Sequence, residues 1–128
     1  MNSEAATMWR RARRALLGAE RLVDDDPDGA ASRAYYAAFH AVSALFVLRG
    51  KSFSRHSAVE TAVHRDLVRS GEWSPETGAA YTWLMNARMK GDYGAEAHVT
   101  PDEAREALHK ARLILREVQR LSPEGLEV

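Results

Sequence analysis

The chain has 128 residues, with 18 basic and 18 acidic side chains that cancel, and no cysteine. One domain, spanning 1–128, is the default at this length. The balanced charge argues against a globally basic nucleic-acid binder, so such a role must rest on a local patch. The missing cysteines exclude disulfides, thiolate metal sites and cysteine nucleophiles.

The apolar run starting at Ala34 is cut by Arg49 and Lys51, too short to cross a bilayer. No signal-type apolar core with a cleavage site follows MNSEAATMWRRARR. A soluble cytoplasmic protein is the expectation. Fifteen of the basic residues are arginine and three are lysine. Arginine suits bidentate phosphate contacts, although GC-rich coding produces the same excess.

Thr7 to Val23 is amphipathic, with Met8, Ala12, Ala15, Leu16, Ala19 and Val23 at helical spacing. DDDPDG at 24–29 ends it and offers Asp26 or Asp28 as the next cap. The second helix runs to Leu48 or Arg49, where Gly50 supplies a left-handed stop. It is apolar nearly all round, so it should be central. Ser54 to Ser70 reads as a third helix, with Ala58, Ala62, Val63, Leu67 and Val68 inward and Gly71 after it.

Ser74 caps a fourth helix with Pro75 at its first position, running to Lys90 with Tyr81, Leu84, Met85 and Arg88 on one side. GDYGAEAHV is a loop. Thr100-Pro-Asp-Glu103 is a capping box. The helix after it carries Ala104, Ala107, Leu108, Ala111, Ile114, Leu115, Val118 and Leu121 on one stripe, and Ser122-Pro123 stops it. No stretch alternates with period two. The expected fold is all-α, an up-and-down bundle of four to five antiparallel helices.

The central helix contains SRAYYAAFHAVSALF, residues 32–46. Arg33, Tyr36 and His40 share one of its faces, with Arg33 and His40 about 10 Å apart along the axis. That is too far for a compact pair within one chain. They can converge with groups from another helix, or serve as core residues whose polar tips are satisfied.

His56, Glu60 and His64, at four-residue steps, suit zinc in principle, but the drift of the helix favours a solvated face. Arg10, Arg11, Arg13 and Arg14 beside Trp9 suit phosphates with a stacking ring, or simply a solvated face balanced by Glu20 and Asp24 to Asp26. Trp73, Trp83 and Met85 suit the core or a dimer contact. No cofactor or metal is expected.

SRAYYAAFHAVSALFVLRGK, then SRHSAV at 54–59, then LMNARMKGDY at 84–93, resembles the HEPN superfamily. The resemblance is to small stand-alone members with a Ser-Arg-x-Tyr-Tyr-x-x-Phe-His helix, a His after a glycine turn and a later Arg-x-x-x-Asp-Tyr. It covers roughly residues 8–121.

It implies a four- or five-helix bundle, usually a homodimer. Many members are encoded beside a minimal nucleotidyltransferase and act with it as a toxin–antitoxin pair. Others are nucleotide-binding modules. The site residues it implies are Arg33, Tyr36, His40, His56, Arg88, Asp92 and Tyr93. Asp92, just past the fourth helix, would pair with Arg88 and pin the loop.

Active members are metal-independent ribonucleases carrying Arg, four to six residues, then His, late in the bundle. The matching arginine is Arg88, but positions 93 to 95 are Tyr93, Gly94 and Ala95, and His98 comes too late. Arg33 and His40 satisfy the spacing on the wrong helix. The leading expectation is a nucleotide- or RNA-binding module partnered with a nucleotidyltransferase. The alternatives are a ribonuclease toxin, with Arg33, His40 and Arg88 as catalytic candidates, or a purely structural bundle.

Overall fold

A computed structural model describes residues 2–122 and 126. The described residues form helices and no strands.

Helix α1 spans Ser3–Leu22. It starts four residues before Thr7 because the Asn2 side chain accepts from the amides of Glu4 and Ala5. Helix α2 spans Pro27–Leu48. Of its two candidate caps, Asp26 is the one used, accepting from Gly29 N–H at 3.0 Å. Asp28 instead accepts from Val99 N–H at 2.8 Å and meets His98 Nδ1 at 3.0 Å, tying the start of α2 to the segment before the last helix. At the far end, Lys51 N–H bonds Phe46 C=O and Gly50 N–H bonds Val47 C=O. This double closure requires the left-handed backbone of Gly50, φ +77°.

Helix α3 spans His56–Ala62, starting two residues after the predicted Ser54 because Ser54 and Arg55 still belong to the extended connection. It continues into a π-helical segment, Val63–Val68. Ala62, Val63 and Leu67 are buried as the spacing predicts. Val59, not the half-buried Ala58, fills the core before them, and Val68 is half-buried past the widened turn.

Helix α4 spans Pro75–Tyr93 and α5 Pro101–Leu121. The Ser74 cap and the Thr100/Glu103 capping box form as expected. Helix α4 does not stop at Lys90. It passes through Gly91, where a Cβ would lie 2.9 Å from the Asp28 carbonyl oxygen, so glycine admits the backbone of α2. Pro123, the predicted stop of α5, lies outside the described residues.

Cross-links fix the directions. Glu20–Arg112 and Asp24–Arg105 set α1 antiparallel to α5. Tyr36–Arg88 and Ser32–Asp92 set α2 antiparallel to α4, and Lys90–Glu103 joins the end of α4 to the start of α5. The four long helices therefore alternate. Residues 50–55 double back, so α3 runs alongside α2 in the same sense, between Tyr35–His56 at one end and Arg49–Glu72 at the other.

Helix α2 packs against every other helix, as its all-round apolarity predicts. Tyr35, Leu45 and Phe46 from α2 meet a core that includes Leu67, Trp73, Tyr81, Leu84 and Ile114. Trp73 is buried, whereas Trp83 and Met85 are half-buried against the core, with the Lys110 ammonium 5.1 Å from the Trp83 ring. No helix among the described residues is long and apolar enough to cross a membrane.

Candidate functional site

Arg88 stands one turn after the buried Leu84 on α4 and faces α2. Its Nη2 donates to Tyr36 Oη at 3.0 Å and to Tyr93 Oη at 3.4 Å, and its Nε donates to Asp92 Oδ2 at 3.1 Å. Asp92 Oδ2 also accepts from Ser32 Oγ at 3.3 Å. The guanidinium carbon lies 5.4 Å from the Tyr36 and Tyr93 ring centroids and 5.7 Å from that of Tyr35. Contacts of this kind contribute roughly 0.5–2 kcal/mol each according to how well water is excluded. Among the described residues Nη1 meets the Met89 sulfur, at 3.8 Å, so one of its two N–H donors is left for an incoming oxygen.

Two imidazoles flank this arginine cluster. His56, the first residue of α3, holds its Nδ1 2.8 Å from Tyr35 Oη. Its ring centre is 4.5 Å from that of Phe39 and 5.7 Å from that of Tyr36. His40 lies one turn after Tyr36, with ring centres 6.0 Å apart.

Burial, and then the charge of Arg88, pulls His56 below the usual histidine pKa of 6.5. Burial pulls His40 down as well, helped by the charges of Arg11 and Arg33 and by His56. Both rings are therefore mostly neutral at pH 7. Burial pushes the Tyr35 phenol up to about 12, so it keeps its proton. Whichever of the pair donates, Nδ1 of His56 is engaged with Tyr35, and Nε2 is the nitrogen outside that bond.

Of the residues the sequence singles out, Tyr36, Arg88, Asp92 and Tyr93 form one bonded cluster. His56 joins it through Tyr35 and the ring contacts, and His40 adjoins Tyr36. Asp92 is not past the helix end. It lies inside α4, four residues after Arg88, because Gly91 lets the helix continue.

Arg33 is not brought into the cluster. It is exposed and leans on α1, where a Cβ at Gly18 would lie 3.3 Å from its Nε. It acts on the site only as a charge felt by His40. The wheel position is right, but the long side chain follows the neighbouring helix rather than Tyr36.

Ser32, Tyr35 and Phe39 belong to the site without having been singled out. They stand in the same Ser-Arg-x-Tyr-Tyr-x-x-Phe-His segment, the signal that would have found them.

The His56, Glu60, His64 spacing makes neither a metal site nor a plain solvated face. His56 turns to Tyr35, while the Thr82 hydroxyl donates to Glu60 Oε2 and bonds His64 Nε2, each at 2.8 Å. Among the described residues no group of three metal-ligating side chains converges. Trp9 is 4% exposed and offers no free face for stacking a base.

The HEPN domain profile matches residues 5–121. A UPF0332 protein of Thermotoga maritima is 35% identical over 115 residues, covering 88% of this chain and 87% of that protein. A protein of Methanocaldococcus jannaschii, named as a candidate toxin, is 26% identical over 118 residues, covering 91% of this chain and 80% of its own length. The chain belongs to the HEPN domain family.

Proposed function

We propose that this HEPN protein is a nucleotide- or RNA-binding module of a toxin–antitoxin type system. In this reading it works in the cytoplasm as a homodimer, alongside a minimal nucleotidyltransferase. The observation that carries the binding role is the pre-ordered Arg88. Three tyrosine rings and Asp92 hold the guanidinium in place, yet Nη1 keeps one N–H outside these bonds. A phosphate oxygen meets that donor without the cost of ordering a mobile side chain. The Tyr93 ring, 65% exposed, offers a π-face beside it for a base. The test is binding of labelled structured RNA and of nucleotides to the purified protein and to folded Arg88→Ala, His40→Ala and Arg33→Ala variants. The expected result is binding that drops at least tenfold in Arg88→Ala and little in Arg33→Ala; equal binding by all four proteins overturns the reading.

A second reading, a metal-independent ribonuclease, is favoured by one specific observation. His56 is kept neutral beside Arg88 and supplies the imidazole that positions 93 to 95 lack. A neutral imidazole can take the proton of a ribose 2′-hydroxyl, and an arginine can stabilise the charge building on the phosphate. The relative named as a candidate toxin is consistent with this chemistry. Cleavage of RNA in chelator-containing buffer, lost in both Arg88→Ala and His56→Ala, selects the ribonuclease over the binding module. Neither binding nor cleavage would reduce the cluster to a packing device.

A further inference from the structure

A second concave surface lies away from the Arg88 cluster, between antiparallel α1 and α5. It is a small cleft of about 210 Å³. It is lined by the apolar Trp9, Leu16 and Leu115 together with Arg13, Arg112, Arg116 and Gln119. Arg112 is bonded to Glu20 at 3.0 Å. Arg13 and Arg116 are exposed, and neither reaches a carboxylate among the described residues. The surrounding helix is basic: α1 holds five arginines and two glutamates. Leu17, next to Leu16 in sequence, is 52% exposed.

Size and chemistry decide between occupants. Pockets for whole small molecules run to roughly 300–1,000 Å³, so this one is too small for a cofactor. It is about the size of one large apolar side chain, the usual anchor of a protein partner. An RNA strand would use the arginines, but the cleft offers its bases no exposed ring to stack on, since Trp9 is 4% exposed.

We infer that the α1–α5 cleft is a docking site for an acidic amphipathic helix of a partner protein, one large apolar side chain entering the cleft and flanking glutamates or aspartates meeting Arg13 and Arg116. The helix-in-groove mode supplies the apolar contact, and the unpaired arginines supply orientation and a faster encounter. The site is separate from Arg88, so it stands or falls apart from the ligand of that cluster.

The test uses a synthetic 18-residue helical peptide with leucine at i, i+4 and i+7 and glutamate on both flanks. Two control peptides carry lysine for glutamate, or glutamine for leucine. Binding to the full chain is read by fluorescence anisotropy and mapped by amide chemical shifts. The expected result is saturable binding of the Glu/Leu peptide, with shifts centred on Leu16 and Leu115. Affinity should fall at least tenfold in the Arg13→Glu, Arg116→Glu double variant at unchanged melting temperature. Binding should also weaken with salt and be absent for both controls. The inference is overturned by equal binding of the lysine peptide, by shifts centred on Arg88 instead, by no binding, or by RNA producing the cleft shifts that the peptide does not.

Discussion

Helix α2 has two kinds of neighbour, and they are built oppositely. Toward α1, its most extensive partner, the contact is made largely of alanine. Ala12, Ala15 and Ala19 on α1, and Ala30, Ala34, Ala37, Ala38 and Ala41 on α2, are all essentially fully buried. Small side chains let two helix axes come close and leave no room for a ligand or a water. Toward α3 and α4 the same helix presents Tyr35 and Tyr36, whose hydroxyls are bonded to His56 and Arg88, with Phe39 packed on the His56 ring and His40 beside Tyr36. One side of α2 secures the bundle by exclusion. The other is filled by aromatic and imidazole rings and keeps the half-exposed Tyr36 and His40 within reach of solvent.

The largest effects should come from breaking the alanine side. Ala34→Leu adds three carbons where no space exists, and overpacking of this kind costs about 1–3 kcal/mol. A melting or urea experiment should show that loss in full, while ligand binding by the remaining folded protein stays unchanged. The Arg88 side should respond the other way round. Arg88→Ala removes three hydrogen bonds to oxygen and one to the Met89 sulfur. It should lower RNA or nucleotide affinity tenfold or more, at a stability cost of about 1–3 kcal/mol from the lost hydrogen bonds and ring contacts. If Ala34→Leu lost ligand affinity in folded protein, or Arg88→Ala unfolded the chain, the division of labour between the two faces would be wrong.

That division was half visible in the sequence. The alanines, the all-round apolarity of α2, the caps at Ser74 and Thr100 and the stop at Gly50 are local signals, and the fold follows from them. Two local signals misled. Gly91 and Asp92 are poor helix residues, so periodicity ended α4 at Lys90. The helix continues because glycine there admits the Asp28 backbone, a tertiary contact that propensity cannot contain. The apolar spacing starts only at Thr7, whereas α1 starts at Ser3 because Asn2 caps a first turn with little apolar patterning.

In the site, Tyr36, Arg88, Asp92 and Tyr93 were legible as a motif. The bond between Tyr35 and His56 was not. It spans 21 residues, and it depends on the doubling back of residues 50–55, which no spacing rule reports. Tyr35 itself looked like ordinary core, and its ring is indeed fully buried. Only the position of His56 shows that its hydroxyl belongs to the site.

That pair gives a smaller and sharper test. Tyr35→Phe removes the hydroxyl partner of His56 Nδ1 and should cost about 1 kcal/mol, the usual net worth of one hydrogen bond. Its more telling readout is the His56 titration followed by imidazole proton shifts. In the wild type His56 should titrate below 6.5, because burial and the charge of Arg88 both disfavour the imidazolium. Arg88→Gln should move that titration upward by removing the charge. Tyr35→Phe should broaden the ring signals by freeing the ring to rotate. A His56 titration that ignored Arg88→Gln would mean that the two side chains are not electrostatically coupled, and the ribonuclease reading would lose its base.

The smallest effect is the dependence of stability on pH. His40 and His56 are held below 6.5 in the fold, while in the unfolded chain each takes a proton near 6.5. Below that pH the unfolded state binds more protons than the native one, so stability is complete above about 6.5 and falls as the solution is acidified toward the two native pKa values. The shifted carboxylates act in the same direction, but only below the ordinary carboxylate range near 4.5, so between pH 6.5 and 5 the histidines dominate. The urea midpoint should decline across that interval. The decline should shrink in a His40→Asn, His56→Asn double variant whose stability is compared with itself at pH 8. Single replacement of His56 should remove part of the slope, and Arg88→Gln should remove a little of it too, since it relieves one of the causes. A slope unchanged by both histidine replacements would place the neutral imidazoles outside the protein's acid response and leave burial of the ring cluster without a thermodynamic signature.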